Sequence, residues 1–198
     1  FESKYSVIAE PSSAVVSADK MNVFYIGVEN PIEVSVAGVS SNKVRVSASG
    51  VSVNGGNGKY TVKATKPGNA TLTVTGGDLR KEFKYRVKRI PNPIARLGNN
   101  DSGALPSGTF KAQGGIGAWL DDFDFDAKCK IQGFNLVRVA KRQDPVTKSN
   151  RGARYSSDVS TLVNRAKPGD IYYFDKIKAK CPGDQVTREL NGLVFKIQ

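Results

Sequence analysis

Residues 30–88 alternate apolar and polar positions with a period of two, run after run. Ile32, Val34 and Val36 oppose Glu33 and Ser35, and Val44, Val46 and Ala48 oppose Arg45 and Ser47. Tyr60, Val62 and Ala64 oppose Thr61, Lys63 and Thr65; Ala70, Leu72 and Val74 oppose Thr71, Thr73 and Thr75; Phe83, Tyr85 and Val87 oppose Lys84, Arg86 and Lys88. A period of two sends alternate side chains to opposite faces of a strand, so each run predicts one apolar and one polar face. Between the runs lie Asn54-Gly55-Gly56-Asn57-Gly58, Lys66-Pro67-Gly68-Asn69 and Gly76-Gly77-Asp78, residues that accept a positive φ or preset a negative one. About seven short strands at this spacing over 5–87 predict an immunoglobulin-like sandwich.

Lys88-Arg89-Ile90-Pro91-Asn92-Pro93-Ile94 breaks the pattern. Pro91 and Pro93 lack amide donors and bias the residues before them towards extended conformations. The stretch predicts a boundary between a first domain, 1–89, and a second, 90–198, with Ile90, Pro91, Asn92 and Pro93 as a short, stiff interdomain hinge.

The second domain centres on Gly114–Ala140, which holds the only Trp and one of the two Cys. It reads as a strand, a tight turn and a long second strand. Cys129 and Ile131 alternate with Lys128 and Lys130; after Gly133 the phase slips, and Phe134, Leu136, Val137 and Val139 are apolar on both faces. A glycine at a phase slip predicts a bulge. A doubly apolar antiparallel strand needs cover on both faces, so these four residues are a candidate dimer or partner interface. Ile171–Lys180 reads as a strand with Ile171, Tyr173, Ile177 and Ala179 in phase and a break at Asp175. That phase leaves Tyr172 and Phe174 outward, where they are either core from a mis-phased strand or part of the same interface. Residues 158–166 predict a helix capped by Asp158 and stopped at Pro168-Gly169, 98–111 a long polar loop, and 185–190 and 192–197 two closing strands. The fold class is therefore all-β: two tandem sandwiches, the second β-rich with at most one short helix.

Composition narrows the chemistry. Histidine is absent, which removes the usual general base and the histidine-dependent nucleophilic triads. Asp121, Asp122, Asp124 and Asp126 crowd one segment but lack the central Gly and terminal Glu of a calcium loop, and read as an acidic face opposite buried Phe123 and Phe125. Gly114-Gly115-Ile116-Gly117 leads into a strand rather than a helix, so it is a turn and not a phosphate cradle. No catalytic residue, metal ligand or cofactor site emerges, and the expectation is a non-enzyme. Cys129 and Cys181 form either one disulfide, suited to an oxidising compartment, or two buried thiols. A net charge of +12 raises the question of nucleic acid. The cations sit on outward strand positions (Lys84, Arg86, Lys88; Lys176, Lys178, Lys180), and the irregular cluster 141–154 has only Tyr155 as a stacking platform, so an acidic protein or an envelope surface is the better partner. No run approaches the length of a membrane span. The start at Phe1 suggests a piece of a longer protein, with any targeting segment upstream.

An ordered set of short motifs resembles one family. Gly115-Ile116-x-Ala118, Phe123-Asp124-Phe125-Asp126-Ala127, Gly133-Phe134, Gly169-Asp170, Phe174, Ile177-Lys178-Ala179-Lys180, Arg188-x-Leu190 and Phe195-x-Ile197 are similar to the C-terminal region of the GldM/PorM family. Tyr25-Ile26-Gly27-Val28-x-Asn30-Pro31-Ile32 is similar to the start of that family's adjacent Ig-like domain. The resemblance implies the last two periplasmic domains of an inner-membrane-anchored homodimer in the type IX secretion and gliding machinery. It further implies an outer-membrane ring lipoprotein and its partner (GldK/GldN or PorK/PorN type) as the far contact. A proton-driven motor partner (GldL/PorL type) would be reached through the N-terminal part missing here. Nucleic acid is not an expected partner. The competing expectation is an Ig-like surface adhesin or carbohydrate-binding module, which needs an exposed aromatic platform; Trp119, inside a predicted strand, is expected in the core.

Overall fold

The computed structural model describes residues 21–198, which divide into two compact units, one of residues 21–25 and 29–88 and one of residues 26–28 and 89–198. The part of the alternating pattern before residue 21 lies outside the described residues.

The first unit contains β1 (Val23–Tyr25), β2 (Asn30–Glu33), β3 (Arg45–Ser49), β4 (Ser52–Gly56), β5 (Lys59–Lys63), β6 (Gly68–Gly76) and β7 (Leu79–Lys88); the five period-two runs overlap β2, β3, β5, β6 and β7, whereas Asn54, Gly55 and Gly56, read from the sequence as turn residues, belong to β4. The strands form a four-stranded sheet, β1-β7-β6-β3, and a three-stranded sheet, β2-β5-β4. Val44, Tyr60, Val62, Ala70, Leu72, Val74 and Val87 are buried between them, the arrangement of a seven-stranded immunoglobulin-like sandwich. The β4–β5 hairpin closes on Asn57 and Gly58, with φ of 53° and 80°, the two positive values that a type I′ turn requires. Asn30 is 2% exposed: its side-chain amide donates to the carbonyls of Tyr25 and Val62 and its oxygen accepts from Tyr25 N–H. A buried amide satisfied in this way closes the turn after β1.

The second unit contains β8 (Ile94–Arg96), β9 (Gly103–Leu105), α1 (Ser107–Lys111), β10 (Gly117–Trp119), β11 (Lys130–Val139), β12 (Val146–Arg151), α2 (Ser157–Asn164), β13 (Ile171–Lys180), β14 (Arg188–Glu189) and β15 (Leu193–Ile197). Its main sheet runs β12-β11-β13-β15-β9, with β14 beside β13; β8 and β10 pair as a separate ribbon. The core sets Phe134, Leu136, Tyr172, Phe174 and Phe195 of the sheet against Phe110 of α1 and Val159, Leu162 and Val163 of α2. The Phe110 ring lies 4.6 Å from Tyr172 and 6.2 Å from Phe195, centroid to centroid.

Several expectations are corrected here. Residues 98–111 are not one long loop: β9 and α1 occupy them, so the unit has one short helix more than the sequence predicts. Helix α2 is capped by Ser156, whose Oγ accepts from Val159 N–H at 3.4 Å, while Asp158 lies inside the first turn, where a carboxylate complements the helix dipole. Residues 121–129 form no strand. Phe123 and Phe125 are half-buried and pack on each other at 5.3 Å.

The phase of β13 is the largest difference. Tyr172 and Phe174 point into the core together with Ile177 and Ala179, while Tyr173 is 37% exposed. Pairing with β11 steps from Gly133↔Lys178 to Asn135↔Asp175, so β13 carries one residue more than β11 there. Lys176, at φ 48°, is the bulged residue. An inserted residue inverts which face every later side chain occupies. On β11 the register also shifts on either side of Gly133. A Cβ at Gly133 would stand 2.6 Å from the Asn150 carbonyl oxygen, so the close approach of β12 requires glycine there.

Candidate functional site

The two bulges decide which residues the outer face of the second unit's sheet displays. Of the six residues expected at a dimer or partner interface, Phe134, Leu136, Tyr172 and Phe174 are 3% exposed or less. They are satisfied by their own unit's core and offer no partner surface. Val137 and Val139 remain on the outer face, half-buried. Register neighbours complete two rows there: Val137 with Tyr173 and Val194, and Val139 with Ile171 and Lys196. Tyr173 and Val194 are among the large apolar residues left exposed, at 37% and 41%. Sequence reasoning missed Tyr173, Ile171 and Val194; the Asp175 phase break was the available signal.

Below the apolar rows the face changes character. Asn135 and Asp175 are register neighbours, and Ser149 Oγ meets Asn135 Oδ1 at 2.8 Å. One oxygen of Asp175 is buried without a hydrogen-bond partner. The next rows are basic: Arg151 and Lys178 flank Gly133, and Lys130 is the direct register neighbour of Lys180. Lys176 is also exposed. None of these cations makes an ion pair among the described residues.

A second constellation holds residues 90–93 within the second unit. Ile90 is 2% exposed. Arg188 donates through Nη1 to the carbonyls of Ile90 (2.8 Å) and Pro91 (3.1 Å) and to Asn92 Oδ1 (3.0 Å). Its Nη2 pairs with Asp184 Oδ1 at 2.6 Å. Asp184 Oδ2 accepts from Cys181 N–H at 2.9 Å, and Asp184 N–H returns a bond to the Cys181 carbonyl. Cys181 is joined to Cys129 by a disulfide across 52 residues of sequence. Just beyond Pro93, Asn191 brackets Ala95 by accepting from its N–H at 2.8 Å and donating to its carbonyl at 3.3 Å. The segment 90–95 is thus pinned along its length to the turn after β13 and to the residues before β15. Burial by itself would raise the Asp184 carboxyl; the hydrogen bonds from Arg188 and Cys181 and the positive charge of Arg188 and Arg89 outweigh it and hold the group below its ordinary value.

The remaining candidates do not assemble. Asp121 is engaged by Arg96 in a two-pronged pair at 2.7 and 3.1 Å, and no group of three or more His, Cys, Asp or Glu fit for a metal occurs among the described residues. Trp119 is 46% exposed rather than core, because β10 belongs to a two-stranded ribbon with one face open; its indole folds back over Gly117. Within cluster 141–154, residues Val146–Arg151 form strand β12. Asn150, 4% exposed, ties its exit together by donating to the carbonyls of Gly152 and Arg154 and accepting from Ser156 N–H. Arg138 is buried in the core against Asp170 at 2.8 Å. No helix among the described residues is long and apolar enough to cross a membrane.

Comparison with known proteins gives two family-model matches in chain order: "GldM third domain" over residues 13–88 and "GldM C-terminal domain" over residues 91–198. No curated protein matches the sequence. Among solved structures, a tri-modular GH5 endo-beta-1,4-glucanase from Bacillus licheniformis is 12% identical, covering 90% of this chain and 38% of its own, at a TM-score of 0.25. The Yersinia pseudotuberculosis adhesin InvE is 13% identical, covering 88% and 56%, at 0.27. Human protocadherin-24 EC1-2 is 10% identical, covering 90% and 94%, at 0.29. At such scores these neighbours bear on neither function nor partners.

Proposed function

The chain belongs to the GldM family of gliding-motility and type IX secretion components, and on that premise we propose that it is the periplasmic end of a connector. In this reading the parent protein is a homodimer anchored in the inner membrane. There a GldL/PorL-type partner uses the proton gradient, and domains 1–89 and 90–198 carry the resulting motion to an outer-membrane ring of GldK/GldN or PorK/PorN type. The observation that carries the reading is the ordered pair of family domains joined through a segment that Arg188 and Asn191 pin to the second unit. A transmitting joint has to resist bending, and fixed main-chain carbonyls and prolines both reduce its freedom. The competing reading, a surface adhesin or glycan-binding module, draws on the exposure of Trp119.

Tagged Phe1–Gln198 used as bait in solubilised cell envelopes tests the choice. The connector reading expects co-purification of the ring lipoprotein and its partner. Recovery of neither, with retention of the chain on immobilised glycans and loss of that retention in Trp119→Ala, would replace it with the adhesin reading.

A further inference from the structure

We propose that the outer face of the β12-β11-β13-β15 sheet is a docking surface for an acidic protein. That protein would present an apolar patch to Val137, Tyr173 and Val194 and carboxylates to Lys130, Lys178, Lys180 and Arg151. The inference rests on the connector reading only for where the partner resides; the chemistry of the face stands by itself.

Two observations carry it. First, Lys130 and Lys180 are directly opposed across β11 and β13, and like charges in that relation destabilise a sheet. Neither is relieved by an acid among the described residues, and neither are Lys176, Lys178 or Arg151. The one carboxylate in register with this group, Glu189 beside Lys178, forms no ion pair with it. Second, the adjoining row of Val137, Tyr173 and Val194 leaves an aromatic and two aliphatic side chains half-open to water, and a half-exposed tyrosine within an apolar row is typical of a protein interface.

The order of the zones selects the occupant. A second copy docked on this face by a two-fold axis along the strands would set lysine on lysine. An axis across the strands would set lysine on valine and tyrosine. Both arrangements leave the cations without counter-charge. A phosphate-bearing surface would answer the lysines but leave the apolar row uncovered. An acidic protein with its own apolar patch answers both zones at once.

The test places a photo-crosslinking phenylalanine analogue at Tyr173 in the complete protein, expressed in its native cell envelope, with the same analogue at Lys81 of the first unit as control. The expected result is a Tyr173 adduct whose partner peptide is rich in Asp and Glu, absent from the Lys81 control. Its yield falls roughly tenfold when Lys130→Glu, Lys178→Glu and Lys180→Glu are combined. The triple variant's unfolding midpoint must match the parent's, so that loss of adduct is not loss of fold. A second copy of this chain, a lipid or no adduct at Tyr173 would overturn the proposal, as would an adduct indifferent to the triple charge reversal. An acidic partner outside the outer-membrane ring would keep the face and refute the connector reading. Ring proteins that co-purify with the triple variant as well as with the parent would keep the connector and refute the face.

Discussion

Arg188 and Asp184 stand four residues apart, and their 2.6 Å ion pair holds the guanidinium where its other nitrogen reaches the carbonyls of Ile90 and Pro91. One side chain thereby couples the entry of the second unit to the turn that follows its central strand. The Asp184 side chain is 1% exposed and that of Arg188 15%, so the pair is shielded from the screening that weakens surface ion pairs.

Arg188→Ala removes the link and leaves a buried carboxylate without its cation, a change that costs about 3–5 kcal/mol. It also frees the carbonyls of residues 90 and 91. The expected outcome is a lower unfolding midpoint together with faster tryptic cleavage after Lys88 and Arg89 under native conditions. Unchanged cleavage would mean that the prolines alone hold the segment.

The lowered Asp184 carboxyl predicts an acid limb in stability. A group whose folded value lies below its ordinary 3.8 contributes stability that is present above that value and is lost as pH falls through the folded one. Melting midpoints recorded downward from about pH 5 should therefore fall more steeply for the parent protein than for Asp184→Asn, which has no such proton to bind. Parallel curves would contradict the assignment.

The disulfide between Cys129 and Cys181 closes a loop of 52 residues, worth about 4 kcal/mol in the chain-entropy picture. Replacing both cysteines with serine should lower stability by that order. Because Cys181 carries the N–H that Asp184 accepts, the same variant should also raise the cleavage rate after Arg89. A stability loss with no change at the linker would show that the bridge supports the sheet but not the joint.

In the first unit period two was legible on β5 and β6, whose apolar residues are buried on one face, whereas β4 has no buried residue and its Asn54-Gly55-Gly56 read as turn. The second unit was legible only between its bulges. From Ile171 to Phe174 the alternation was visible, but its phase could not be assigned without knowing that Lys176 is inserted between Asp175 and Ile177. The buried and exposed aromatics of β13 were therefore interchanged. Strand β9 and helix α1 are too short for any period to show, and Gly103-Ala104-Leu105 is held by parallel pairing to β15, a contact remote in sequence. The segment 90–95 was half visible: Pro91 and Pro93 marked it in the sequence, whereas the role of Arg188 depends on a fold that brings it back across nearly a hundred residues. The basic rows were visible as alternate lysines, but the opposition of Lys130 and Lys180 needed the register.

The connector account stands most directly on whether a stiff joint at residues 90–93 is required for work. The decisive measurement is type IX secretion and gliding speed in cells carrying Pro91→Gly, Pro93→Gly and Arg188→Ala together, with protein level and ring co-purification monitored alongside. The account predicts that the variant accumulates and still co-purifies with the ring while secretion and gliding are lost. Normal secretion and gliding from a variant whose joint is shown by proteolysis to be loose would contradict it.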